Sequence, residues 1–68
     1  MDTLKIYYDE TGKTLTVWFD DPQKEHIVEE TEAEVLLIKD RNGQVIGIER
    51  LNCPAIDPEA LQVDLVRV

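Results

Sequence analysis

Leu4, Ile6 and Tyr8 fall on one parity of the chain and Lys5 and Tyr7 on the other, the period-two signature of a β-strand. The alternation returns over residues 14–19, where Leu15, Val17 and Phe19 face one way and Thr14, Thr16 and Trp18 the other. A four-residue loop, Glu10 to Lys13, pairs Tyr8 with Leu15, Ile6 with Val17 and Leu4 with Phe19. A three-residue loop would set Leu4 against Trp18 and mix the two faces, so the four-residue loop is preferred. Gly12 is the residue expected to supply a left-handed turn conformation. Asp20-Asp21-Pro22 ends the second strand, since proline lacks a ladder donor and aspartate favours turns.

Residues 25–34 carry two signals. Ile27, Val28 and Thr31 suit a short strand, whereas the glutamates and Ala33 suit one or two helical turns. A short edge strand near 26–30 is expected. Val35-Leu36-Leu37-Ile38 is a continuous apolar run, and Val45, Ile46, Ile48 and Leu51 follow after Asp40-Arg41-Asn42-Gly43, a strong hairpin signal. With Arg41-Asn42-Gly43 as loop and Gly43 left-handed, Ile38 is expected to face Ile46, Leu36 to face Ile48 and Glu34 to face Arg50. A tighter Asn42-Gly43 loop would instead put Val35 opposite Arg50. Beyond Asn52-Cys53-Pro54, Asp57-Pro58-Glu59-Ala60 reads as a helical start with Asp57 as N-cap. Residues 63–68 read as one more strand. The predicted fold is all-β or β-rich α+β: one domain over residues 1–68, an antiparallel meander of five to six strands with one short helical turn near the C-terminus.

Composition narrows the function. The chain has 68 residues, 15 Asp plus Glu against 7 Lys plus Arg, and a net charge of −8. A domain this small buries only about 60% of its unfolded surface, which argues against a large internal cleft. The acidic balance argues against binding nucleic acid or anionic membranes, where lysines and arginines must displace counterions. No apolar run approaches the ~18 residues of a membrane span, and Met1 to Lys5 lacks a basic start followed by an apolar stretch, so a cytoplasmic location is expected. Cys53 is alone, which excludes an intrachain disulfide. Self-association is then the expected staple for so small a core.

The text Tyr8-Asp9, then Thr14-Leu15-Thr16-Val17, and later Asp40-Arg41-Asn42-Gly43-Gln44-Val45-Ile46-Gly47-Ile48-Glu49, resembles a small bacterial family known as domain of unknown function 2283. The likeness covers roughly residues 4 to 51, and its hairpin half is the more specific. Lys13-Thr14 departs from the family's usual Asp-Ala, and the tail after Leu51 is longer. The resemblance implies a small, mainly β protein with no established activity and no catalytic residue to transfer. It also implies similarity of size and context to the acidic halves of toxin and antitoxin pairs.

Candidate chemistry is sparse. His26 has Glu25, Glu29 and Glu30 nearby in sequence as orienting partners, but the ordinary reading is a surface histidine. Cys53 lacks a neighbouring base and reads as a packing residue. Serine is absent, and Gly12, Gly43 and Gly47 form no phosphate loop. No enzymatic activity, cofactor or metal is therefore expected.

Glu29, Glu30, Glu32 and Glu34 form an acidic patch. On a strand, Glu30, Glu32 and Glu34 would line one face, either as a solvated edge or as weak Ca²⁺ ligands. Residues 1–34 hold ten acids and three bases, residues 35–68 five and four, so the first half could steer a basic protein partner. Tyr7, Trp18, Val35, Leu37 and Val45 are the candidate interface residues. The expected function is a non-enzymatic, self-associating homodimeric module, with the role of acidic partner to a basic protein as its further expectation. The alternative is a small-ligand or divalent-metal-binding module using the Trp18 face or the 29–34 carboxylates.

Overall fold

The computed structural model describes residues 3–68; Met1 and Asp2, part of the N-terminal segment read above, lie outside them. Five strands form one antiparallel sheet: β1 (Lys5–Asp9), β2 (Thr14–Trp18), β3 (Ile27–Glu30), β4 (Val35–Lys39) and β5 (Val45–Arg50). The all-β antiparallel class is as predicted. Among the described residues no helix is long and apolar enough to cross a membrane.

The first hairpin has the expected register, with Ile6 opposite Val17 and Tyr8 opposite Leu15. Its loop closes differently. The Asp9 carboxylate accepts from the Gly12 N–H at 3.0 Å, and the left-handed residue is Lys13 (φ 56°), not Gly12. The Lys13 carbonyl is held by the N–H of Cys53 at 2.8 Å, so a contact from the far end of the chain helps to fix that geometry.

The strand order is β1-β2-β5-β4-β3, which departs from a simple meander because β5 enters between β2 and β4. Residues 19–26 must therefore pass β5 and β4 to reach the far edge. They do so with a 3₁₀ turn, Pro22–Lys24, capped by the Asp21 side chain accepting from the Gln23 N–H at 2.9 Å. Phe19 and Asp20 both donate to the Ile46 carbonyl, at 2.7 and 3.3 Å, and His26 donates to the Lys39 carbonyl at 2.9 Å. β3 sits on the edge as expected. Its exposed glutamates are tolerated there, and charge on an edge strand discourages pairing with other chains.

The second hairpin keeps its three-residue loop. The Asp40 N–H donates to the Gln44 carbonyl at 3.0 Å, and the Asp40 carboxylate accepts from the N–H groups of Asn42 and Gln44. Gly43 is left-handed at φ 79°. Beyond the loop the predicted register fails. Lys39 pairs with Val45, then an irregularity between Ile38 and Lys39 sets Ile38 opposite Gly47, Leu36 opposite Glu49 and Val35 opposite Arg50. Glu34 therefore faces Leu51, whose N–H donates to its carbonyl at 2.8 Å, instead of Arg50. Ile46 is the residue left over, and the bulge turns its side chain into the core.

A Cβ at Gly43 would meet nothing within 4 Å, so a substitution there strains the backbone without a steric clash. Gly43→Val is expected to cost about 1–2 kcal/mol or more, and Gly43→Asn less, because asparagine tolerates the left-handed region. Thermal melts check the order. A Gly43→Val protein as stable as the parent would exclude this turn conformation.

The segment after Cys53 adds one turn and no strand. Asp57 accepts through its side chain from Glu59 N–H and through its carbonyl from the Ala60 and Leu61 N–H groups, each at 3.0 Å. The helical start thus stops after a single turn. Residues 63–68, predicted as a further strand, are exposed and make no ladder with the sheet. An extended segment becomes a strand only when an edge accepts its hydrogen bonds.

Candidate functional site

Cross-strand neighbours in an antiparallel sheet share a face, so the registers sort the side chains into two sides. One side carries Tyr7, Thr16 and Trp18, Gly47 and Glu49, Leu36 and Ile38, and Val28. Trp18, Ile38 and Ile46 form the buried cluster here, next to the 19–26 crossing. The Trp18 ring lies over Gly47, where a Cβ would sit 3.0 Å from Cε3. Thr16 is buried, and its hydroxyl donates to a Glu49 carboxylate oxygen at 3.2 Å.

The other side carries one unbroken apolar row. Ile6, Val17, Ile48 and Leu37 lie side by side across β1, β2, β5 and β4, and Glu29 of β3 ends the row. A second row, Tyr8, Leu15, Arg50 and Val35, runs beside it. Every apolar side chain in both rows is only half-buried. The tail covers one corner. The Tyr8 hydroxyl accepts from the Ile56 N–H at 3.1 Å, and Cys53 is buried nearby.

The five candidate interface residues therefore divide. Val35 and Leu37 lie on the half-covered side, and Val45, 44% exposed, pairs with Lys39 at its rim. Tyr7 is on the opposite side and 55% exposed. Trp18, expected on an exposed contact face, is 7% exposed and belongs to the core of one chain. Ile6, Val17 and Ile48, which share the half-covered side, were not among the expected interface residues. The signal that could have moved them is Gly47, whose missing side chain leaves room for an aromatic ring from the neighbouring strand on the other face.

The carboxylates of the acidic patch do not converge. β3 stops at Glu30, and residues 31–34 form a turn in which the Thr31 hydroxyl donates to the Val35 carbonyl at 2.7 Å and accepts from the Ala33 N–H at 3.2 Å. Glu30, Glu32 and Glu34 thus do not share a strand face. Glu29 forms an ion pair with Lys39, and Glu34 accepts from the Asn52 side chain at 3.1 Å. Among the described residues no three His, Cys, Asp or Glu side chains are grouped as a metal would require.

His26 lines an open polar crevice with Asp20, Lys24, Glu25, Asp40 and Arg41. Asp20 is held below the ordinary carboxylate range, first by the Asp21 N–H at 2.6 Å and then by Lys24 at 3.4 Å, a surface arrangement with no nucleophile beside it.

Over residues 5–53 the chain matches the family described as "Protein of unknown function (DUF2283)", and it belongs to that family. The match contains the whole five-stranded sheet and ends where the tail begins. Among curated proteins and among solved structures nothing matches the chain.

Proposed function

We propose that this member of the DUF2283 family is a small non-enzymatic interaction module that works as a homodimer, joined through the side of its sheet that carries Ile6, Val17, Ile48 and Leu37. The row itself is the observation that carries the reading. Four apolar side chains in register, none fully covered, make a continuous strip on a sheet whose opposite side already holds the core. A single sheet has two faces, and the buried cluster of Trp18, Ile38 and Ile46 occupies one of them. A second copy of the same strip matches it in polarity, and two-fold pairing makes a closed assembly.

The stability of so small a domain points the same way. Without a disulfide, a chain of this length gains only a few kcal/mol from its own core, roughly 3–5 kcal/mol at most. Completing the burial of Ile6, Val17, Ile48 and Leu37 in two chains adds to that, at about 25 cal/mol per Å² of apolar surface removed from water. The carboxylates, scattered among the described residues, favour this reading over a metal site.

Light scattering or sedimentation at micromolar concentration is expected to give about twice the 7.8 kDa of one chain. Leu37→Glu places a charge in the middle of the row and is expected to weaken the dimer at least tenfold, which is about 1.4 kcal/mol. A species of single-chain mass at all concentrations, unaffected by Leu37→Glu, refutes the reading.

A further inference from the structure

The tail after the single turn at Asp57 is the least accommodated part of the molecule. Val63 is 66% exposed, Leu65 95% and Val66 67%, and among the described residues no backbone hydrogen bond beyond Leu61 ties these residues to the sheet. Residues rich in Val and Leu at alternating positions have the character of a strand, and a strand without a partner leaves a row of donors and acceptors unpaired. β1 is an edge strand, so its outer side is open to accept one.

We infer that residues 61–66 of one copy add antiparallel to β1 of a second copy, a reciprocal exchange of arms. The inference rests on the homodimer proposed above and specifies how its two chains are linked. The side-chain pattern selects the register. Setting Asp64 opposite Lys5 places Leu61 against Tyr8, Val63 against Ile6 and Leu65 against Leu4, so every position on the apolar side is apolar and the one charged pair is of opposite sign. Val63 then extends the row of Ile6, Val17, Ile48 and Leu37 by one strand. A slip of one residue would carry Asp64 onto that apolar side, which is why neighbouring registers are disfavoured.

The occupant is a second chain because one chain does not make this pairing. Ile56 is fastened to the Tyr8 hydroxyl beside β1, yet the residues beyond the turn leave the body with their apolar side chains in solvent. Adding a strand to an exposed edge is a common route to association, and exchange of an identical segment between protomers is a low-cost one.

Two chains made in a Cys53→Ala background, one with Lys5→Cys and the other with Asp64→Cys, are mixed under mild oxidation, with circular dichroism confirming that each retains the sheet. The mixed disulfide between residues 5 and 64 is expected to exceed either like-with-like product at least fivefold. Removing residues 62–68 is expected to weaken the dimer at least tenfold by sedimentation. Lys5→Asp and Asp64→Lys should each weaken it, and the two together should restore it.

A full-length chain that remains monomeric refutes both the arm exchange and the dimer. A dimer that is broken by Leu37→Glu but unchanged by removal of residues 62–68 refutes the exchange alone. A chain carrying both cysteines that forms the 5–64 disulfide only within itself shows that the arm folds back on its own β1, and also overturns the exchange.

Discussion

Trp18→Ala is expected to cost about 3–5 kcal/mol, most of the stability a domain of this size holds. Trp18 is the largest member of the buried cluster with Ile38 and Ile46, and its ring also covers the backbone at Gly47. Removing it deletes the contacts of the ring and leaves a void that the paired strands β2 and β5 cannot readily close, because their hydrogen bonds hold them at a fixed spacing. Trp18→Phe separates volume from polarity. The indole Nε1 is buried with no hydrogen-bond partner among the described residues, so replacing the indole with a phenyl ring removes a group that contributes an unfavourable desolvation of about 1–3 kcal/mol. That gain offsets part of the lost packing, and Trp18→Phe is expected to lie within about 1.5 kcal/mol of the parent. Chemical denaturation followed by far-ultraviolet circular dichroism measures both. Should Trp18→Ala unfold at nearly the parent's midpoint, Trp18 is not the centre of the core.

The second large effect reverses an ordinary sign. Glycine inside a strand is usually a weakness, and alanine there normally stabilises by about 0.5–1 kcal/mol. At position 47 a Cβ would stand 3.0 Å from Trp18 Cε3, 3.0 Å from the Val17 carbonyl oxygen and 3.4 Å from Ile38 Cδ1. The carbonyl belongs to the neighbouring strand and cannot retreat without disturbing the ladder between β2 and β5. Gly47→Ala is therefore expected to destabilise by about 1–3 kcal/mol through overpacking. That lowers the melting temperature by roughly 4–8 °C per kcal/mol in a domain of this size. A melting temperature equal to or above the parent's would show that the ring moves aside freely. Gly43→Ala is the control, since its Cβ would enter open space and its cost comes from the backbone alone.

These two residues also mark where sequence reading stops. Trp18 alternates with Leu15 and Val17 as a strand residue should, and that alternation correctly placed it on the other face from them. It carried no information on which face becomes buried. The structure buries Trp18 with Ile38 and Ile46 at the end of the sheet where the 19–26 crossing bonds to Ile46, and leaves the more uniformly apolar face half-covered. The candidate surface was legible only in parts: Val35, Leu37 and Val45 were singled out, whereas Ile6, Val17 and Ile48 were not.

By itself the sequence determined the class of fold, the register of the first hairpin, the left-handed Gly43, the edge position of the glutamate-bearing β3 and the single turn at Asp57. Each depends on forces that act over a few residues, namely alternation on a pleated backbone, the positive φ open to glycine, and a carboxylate closing its own turn. The tertiary structure alone decided that β5 lies between β2 and β4, that Ile46 bulges, that Lys13 takes the left-handed conformation and that residues 63–68 remain outside the sheet. Those outcomes turn on pairings between distant segments, such as Val17 with Ile48 and Cys53 with Lys13, in which several local solutions compete for the same hydrogen bonds and the same buried space.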